Sequence, residues 1–205
     1  LPDADLDLRA VPVTVTPGDV VRALPSRPSL VGASRAAPQH LGDLLQAAAA
    51  GAAAWAGQTP VARGRALVDL AAEVEGRRSS FVTEARRSGL QISGALAEVD
   101  AAVDRLVWWA GWADKLDLLP APVPPPGHGR LVERGPGVVL VVAPAARALL
   151  GPVSVLAPPL VAGGACLLVP AAAAAQLADL LARAALAAVL PAGLLTVAAG
   201  GQERV

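Results

Sequence analysis

The segment Gly137–Pro170, GVVLVVAPAARALLGPVSVLAPPLVAGGACLLVP, decides the fold class. It opens and closes with short apolar runs, Gly137–Ala143 and Ala165–Pro170, which have the length of buried strands. The stretch between them, Leu149–Gly163, is an apolar helix that ends at a glycine. Strand, helix and strand in this order imply parallel strands joined by a right-handed crossover.

The same alternation continues on both sides of this segment. A predicted strand, Gly129–Gly135, precedes it, and a predicted helix, Ala171–Val189, and a last strand, Gly193–Gly200, follow it. The strands are apolar on both faces, as a sheet covered by helices requires. We therefore assign residues 119–205 to a partial Rossmann-like subdomain with a parallel α/β sheet.

Residues 40–118 have helical periodicity and are predicted to form a helical layer. Thr59-Pro60 places an N-cap before a proline at the first helical position, which predicts a helix over 60–77. Capping serines begin a second helix in Ser79–Gly89, and Gly89 suits a left-handed C-terminal position. A third helix follows Gly94. It has an apolar stripe along one face, and most of its charged residues lie off this stripe. The stripe comprises Leu96, Val99, Val103, Leu106 and Ala110, and the charges are Glu98, Asp100, Asp104 and Arg105.

Four tryptophans are predicted to anchor the packing at the ends of this layer: Trp55, Trp108, Trp109 and Trp112.

Residues 1–39 contain six prolines and little helical periodicity. We interpret them as a linker or arm, and a disordered tail is an equally good interpretation. Because the chain begins with Leu1 and contains no methionine, we expect it to be a fragment of a longer polypeptide.

Composition excludes several functional classes. The chain has 205 residues, of which 54% are hydrophobic, and 17 basic residues balance 17 acidic ones. No basic tract favours nucleic acid or an anionic membrane surface. The uncharged stretch 148–178 is long enough to cross a bilayer, but its prolines and glycines divide it into pieces typical of buried α/β structure. We therefore expect no membrane or nucleic-acid partner.

The single cysteine, Cys166, offers no disulfide framework, so we expect a reducing compartment, the cytoplasm. The two histidines, His40 and His128, lie far apart in Pro/Gly-rich stretches and are interpreted as surface residues, so no metal site is expected. Cys166 also falls inside a predicted buried strand, where a thiol is usually inert. Ser154, within an apolar helix, is expected to bond to a backbone carbonyl.

Carboxylate pairs for acid and base chemistry are conceivable on the helices. The candidates are Glu98 with Asp100, or Asp69, Glu73 and Glu75. Solvated helix faces are the more common explanation for such charges.

A parallel sheet binds nucleotides at the carboxyl ends of its strands, through loop backbone and helix N-termini. The relevant loops are Pro144–Leu149, Pro170–Gln176 and the chain from Ala198 onward. The first two contain almost only Ala and Pro, so no side chain suits a ribose or a phosphate. Gly200-Gly201 could open a phosphate turn, although an ordinary turn explains it as well.

Five stretches in order and at family spacing resemble the first half of the aldehyde dehydrogenase superfamily. They are AAAWAGQTPVARGRALVDLAAEVEGRR, GALAEVDAAVDRLVWWAGWADKL, RGPGVVLVVAP, LAPPLVAGGACLLVP and LPAGLLTVAAG, and they cover roughly residues 42–200. The resemblance implies an aldehyde-dehydrogenase-like α/β fold, with a helical layer followed by a partial Rossmann-type parallel sheet. It also implies NAD(P) as the family's cofactor.

The same resemblance implies that the family's functional side chains are missing. The family's Pro-Trp-Asn-Phe/Tyr-Pro loop, whose Asn donates to the oxyanion, aligns on Pro144 and places Ala146 at the Asn position. The family's adenosine-gripping Lys and Glu fall on Val169 and Ala172. The degenerate cofactor positions are therefore Pro144, Val169, Pro170, Ala172 and Gly200, and we expect no cofactor on this chain. The family's catalytic Cys and Glu belong to its second half, so Cys166 is not the nucleophile.

Such selective loss resembles the degenerate second copy of the two-copy aldehyde dehydrogenases of family 16. The resemblance implies a non-catalytic scaffold whose partner is another protein or the rest of its own chain, in a homo-oligomer of the parent. One alternative is a piece of an active NAD(P)-dependent aldehyde dehydrogenase. Another is nucleotide binding without catalysis, through backbone amides at Ala171, Ala172 and Gly200.

Overall fold

The computed structural model describes residues 39–116, 135–143 and 147–198. Four helices come first, and a sheet with two further helices follows. The helices of the first part are α1 (Gln39–Ala56), α2 (Pro60–Gly76), α3 (Arg78–Arg87) and α4 (Ile92–Ala110). The second part contains β1 (Val138–Val142), α5 (Leu150–Val161), β2 (Ala165–Val169), a 3-10 turn (Ala172–Ala174), α6 (Ala175–Ala187) and β3 (Leu195–Val197). The α/β fold class is thus confirmed.

The three strands form one parallel sheet in the order β1-β2-β3. Val138 pairs with Ala165 and Val142 with Val169, while Cys166 pairs with Leu195. Each strand is therefore separated from the next by a helix, as the alternating apolar pattern predicted.

Helices cover both faces of the sheet. Cys166 and Leu168 join the main core with α5 and α6, whereas Leu167 and Val169 pack on the opposite face. This second face is covered by α1, through Leu44 and Leu45. The alternation of side chains along β2 thus places successive residues in two apolar layers.

The predicted start of α2 is confirmed, whereas the predicted capping of α3 by its serines is wrong. The hydroxyl oxygen of Thr59 accepts a 3.2 Å hydrogen bond from the N–H of Ala62, as the cap before Pro60 predicted. Helix α3 instead follows α2 almost directly, because Arg77 is both the C-cap of α2 and the N-cap of α3. The two serines lie inside α3 and do not cap it. Beyond its end, Gly89 has the predicted left-handed φ of 105°.

The buried face of α4 is displaced from the predicted stripe. Val99 and Leu106 are fully buried as expected, but Leu96 is exposed and Glu98 is buried. Ala95 and Ala102 complete the buried face. The carboxylate of Glu98 therefore lies on the buried face of α4, beside the small residues Ala95 and Ala102.

Several predictions fall on residues that the structure does not describe. They are the arm 1–39 except Gln39, the strand Gly129–Gly135 except Gly135, and the end of the last strand. Among the described helices, none combines the length and the apolar character that a membrane crossing requires.

Candidate functional site

The carboxyl ends of β1 and β2 carry apolar side chains. Val142 and Val169 are register partners at these ends. Val142 is exposed, Val169 is buried, and the following Pro170 and Ala171 are buried as well. In the loop after β2, Ala172 and Ala173 are exposed. Among the described residues from Val142 to Ala143 and from Val169 to Ala174, no side chain is charged or carries a hydroxyl that could hold a ribose.

Val169 belongs to a small apolar cluster on the α1 face of the sheet. It packs with Leu167 and Ala198, and the partly buried Leu44 and Leu45 lie against them. A position at which the resemblance implied a ribose-gripping lysine is thus filled by hydrocarbon contacts.

Three of the sequence-predicted positions, Pro144, Ala146 and Gly200, lie outside the described residues. The residues on either side of the first loop are firmly held. The N–H of Ala143 donates to the carbonyl of Val169 at 2.9 Å, and that of Gly151 donates to Arg147 at 3.0 Å.

Glu98 was predicted only as a member of a possible acid–base pair with Asp100, and its buried contacts with α5 were not predicted. Its Oε2 accepts hydrogen bonds from the backbone N–H of Leu149 at 3.3 Å and of Leu150 at 2.9 Å. Its Oε1 lies 3.4 Å from a guanidinium nitrogen of Arg147. The carboxylate therefore joins α4 to the start of α5. The one available signal was the pair of alanines three and four residues from Glu98, which mark the narrow buried face of α4.

A shallow hollow of about 330 Å³ lies beside the start of α5. Its lining residues are Ala101, Asp104, Arg105, Trp108 and Leu150. The guanidinium of Arg105 stands 5.8 Å from the Trp108 ring centroid. Trp108 is half exposed, so it is not the packing anchor that was predicted, whereas Trp55 is buried. The described residues that line the hollow include no serine, threonine or cysteine.

Cys166 is a core residue, as predicted. It is fully buried, and its thiol points to the carbonyl of Leu156 at 3.6 Å. Burial raises the pKa of the Cys166 thiol to about 12. A thiol that stays protonated at neutral pH is a poor nucleophile.

Apart from the buried Glu98, the carboxylates proposed as acid–base pairs are engaged in surface ion pairs with arginines. Arg65 lies 3.5 Å from Asp69, and Arg77 lies 2.6 Å from Glu73. Arg78 bridges Glu75 and Asp100 at 2.6 Å each. The hydrogen bond from Arg78 holds the pKa of the Glu75 carboxyl below its ordinary value. These groups form solvated helix faces, and the described residues contain no group of three metal-ligating side chains.

Comparisons with known proteins agree with this architecture. The family model described as "Aldehyde dehydrogenase family" matches residues 25–205. Phenylacetaldehyde dehydrogenase of Pseudomonas fluorescens is 36% identical over 158 residues, which cover 73% of this chain and 32% of that protein.

Two solved structures show the same fold at lower identity. Salicylaldehyde dehydrogenase from Pseudomonas putida G7, complexed with salicylaldehyde, is 22% identical with a TM-score of 0.70, over 78% of this chain and 34% of that one. An NADP-dependent enzyme of E. coli is also 22% identical, with a TM-score of 0.70, and the match covers 80% of this chain and 34% of that one. The chain thus spans about a third of the length of these relatives. The family match over most of its length shows that the chain belongs to the aldehyde dehydrogenase family.

Proposed function

We propose that this chain is a non-catalytic aldehyde-dehydrogenase-type domain that acts as a scaffold within a larger polypeptide. The observation that carries the proposal is the burial of Val169 at the end of β2. This position holds a hydrocarbon side chain packed against Leu167 and Ala198. A ribose hydroxyl brought there would lose its hydrogen bonds to water and gain none, which costs free energy.

A scaffold needs exposed apolar surface, and the helical layer supplies it. Val61 and Val68 on α2 and Val107 on α4 are exposed. They line a groove of about 440 Å³ together with Gly64 and Gly111. Apolar side chains gathered on one surface are typical of protein contacts. We therefore propose another protein surface as the partner, in a chain like the degenerate second copy of the family 16 enzymes and in a homo-oligomer of the parent.

We also propose the cytoplasm as the cellular setting. Cys166 is a free, buried cysteine, which suits a reducing compartment. We place the domain in the cytoplasm on this ground.

A second candidate is a part of an active NAD(P)-dependent aldehyde dehydrogenase. The 36% identity to a phenylacetaldehyde dehydrogenase favours it. Binding of NAD separates the two candidates, because the family's catalytic Cys and Glu belong to its second half and neither candidate predicts turnover by this chain alone. The scaffold proposal predicts no saturable binding of NAD to this chain, and saturable binding would favour the part of an active enzyme instead.

A further inference from the structure

The groove between α2 and α4 has a floor of small residues and walls of exposed valines. A Cβ at Gly64 would lie 2.8 Å from the carbonyl oxygen of Ala110, so the two helices touch at the floor. Val61 and Val68 line the groove from α2, and Val107 lines it from α4. Val61 and Val68 are seven residues apart, which places them on one face of the helix. They form an exposed apolar ridge, called the α2 ridge below, beside the groove.

The groove also has an exposed arginine on its α2 side and an exposed carboxylate on its α4 side. Arg65 lies between the two valines of the α2 ridge, and Asp114 follows the end of α4. Within the chain, Arg65 lies 3.5 Å from Asp69, and Asp114 lies 3.0 Å from Lys115. Exposed ion pairs of this kind contribute little free energy. Arg65 and Asp114 are therefore free to exchange these partners for others.

We infer that this face of the chain binds the same face of a second copy, with the α2 ridge of each copy in the groove of the other. A two-fold contact requires a surface that is complementary to itself, and this surface has both a ridge and a groove beside it. Arg65 lies on the ridge, so it enters the groove of the second copy and reaches Asp114 there. The same charge pair forms twice. This inference rests on the proposed function, because it names the partner of the scaffold as a second copy of this chain.

Sedimentation equilibrium of the 205-residue chain tests the inference, and we expect monomers and dimers in equilibrium. Val61→Lys places a charge on the α2 ridge and should raise the Kd of the dimer at least about tenfold. Val61 is 71% exposed, so the Tm of the monomer should not change. Leu186→Lys is the matched control, because Leu186 is 61% exposed but lies on α6, and it should leave the Kd unchanged. A chain that stays monomeric up to about 1 mM overturns the inference.

Exchange of the two charges tests the arrangement of the copies. Arg65→Asp and Asp114→Arg should each weaken the dimer, and the two together should restore it, because the pair is then formed with its signs reversed. The inference is overturned if the double variant dimerises no better than the weaker single variant. It is also overturned if Leu186→Lys weakens the dimer as much as Val61→Lys, or if the chain forms only larger oligomers.

NAD binding tests the scaffold proposal separately. A monomeric chain that does not bind NAD overturns the pairing of two copies alone and leaves the scaffold proposal intact. Saturable binding of NAD contradicts the scaffold proposal, whatever the oligomeric state.

Discussion

The indole Nε1 of Trp55 donates a 2.7 Å hydrogen bond to the carbonyl oxygen of Leu160, 105 residues further along the chain. Beside it, the Nε of Arg63 donates to the carbonyl of Val161 at 2.8 Å. Both acceptors belong to the last turn of α5, whose carbonyls lack partners within the helix. The helical layer thus closes the C-terminal end of α5 through α1 and α2, while Glu98 closes its start.

Trp55→Phe should therefore destabilise the chain. The substitution removes the indole donor, while the carbonyl of Leu160 keeps the N–H of Gly163 at 3.1 Å. Loss of this one buried hydrogen bond costs about 1 kcal/mol in free energy of unfolding. Denaturant unfolding measures this change. Trp108→Phe is the matched control, because Trp108 is half exposed and its loss should cost less than about 0.5 kcal/mol. Equal effects of the two substitutions would contradict the assigned role of Trp55.

The crossing of α2 and α4 at Gly64 should not tolerate a methyl group. A Cβ at Gly64 would meet the carbonyl oxygen of Ala110 at 2.8 Å and the Cβ of Ala113 at 3.0 Å. We expect Gly64→Ala to lower the free energy of unfolding by about 1–3 kcal/mol because the helices must move apart. Gly94→Ala is the control, since nothing lies within 4 Å of its Cβ and the better helix former should stabilise by about 0.5–1 kcal/mol. A stabilising Gly64→Ala would refute the close crossing.

Val189 occupies a left-handed position at the end of α6. Its φ is 60°, and the N–H of Leu190 donates to the carbonyl of Ala185 at 3.1 Å, as in a glycine-terminated helix. The Cβ makes this conformation costly, so Val189→Gly should raise the free energy of unfolding by about 1 kcal/mol. Val189→Ala keeps the Cβ and should gain less. Thermal unfolding of both variants decides the matter, and a destabilised glycine variant would exclude strain at this residue.

The thiol of Cys166 should make stability fall at high pH. The unfolded thiol ionises near its ordinary pKa of 9.0, whereas burial raises the folded pKa to about 12. Above pH 9 the unfolded chain therefore binds fewer protons, and this contribution to stability is lost as pH rises toward 12. Between pH 7 and pH 10.5 the unchanged chain should lose about 1–2 kcal/mol more than Cys166→Ala. Identical losses in denaturant titrations would mean that the thiol is accessible to water.

The sequence alone predicts the sheet better than it predicts the polar contacts. The strand Val138–Val142 and the helix Leu150–Val161 end within two residues of their predicted limits, because apolar runs and glycines determine both. Gly163 has the left-handed φ of 89° that a helix-ending glycine favours.

The features that the sequence did not predict correctly share a physical cause. A charged residue such as Glu98 is ordinarily solvent-facing, and its partners lie 51 and 52 residues away in sequence, so only the packing of α4 against α5 reveals its role. The capping of α3 by its serines was predicted wrongly for a related reason. Arg77 ends one helix and begins the next, which leaves the neighbouring serines no helix end to cap.

A designed variant can show whether lost side chains account for lost cofactor binding. Ala146→Asn, Val169→Lys and Ala172→Glu together restore the residues that the family resemblance implies. The lysine stem must run past Leu44 to reach solvent, as lysine stems do. Val142→Lys is the matched control, because Val142 is the register partner of Val169 and is already exposed. NAD binding by the triple variant and not by Val142→Lys is the expected result, whereas equal affinities would assign the effect to charge alone.

Titration calorimetry of the unchanged 205-residue chain with NAD tests the central claim most directly. The account predicts no saturable heat at millimolar NAD, because the end of β2 is apolar. A saturable isotherm with one NAD per chain would contradict it, and would show that backbone contacts suffice to hold the cofactor.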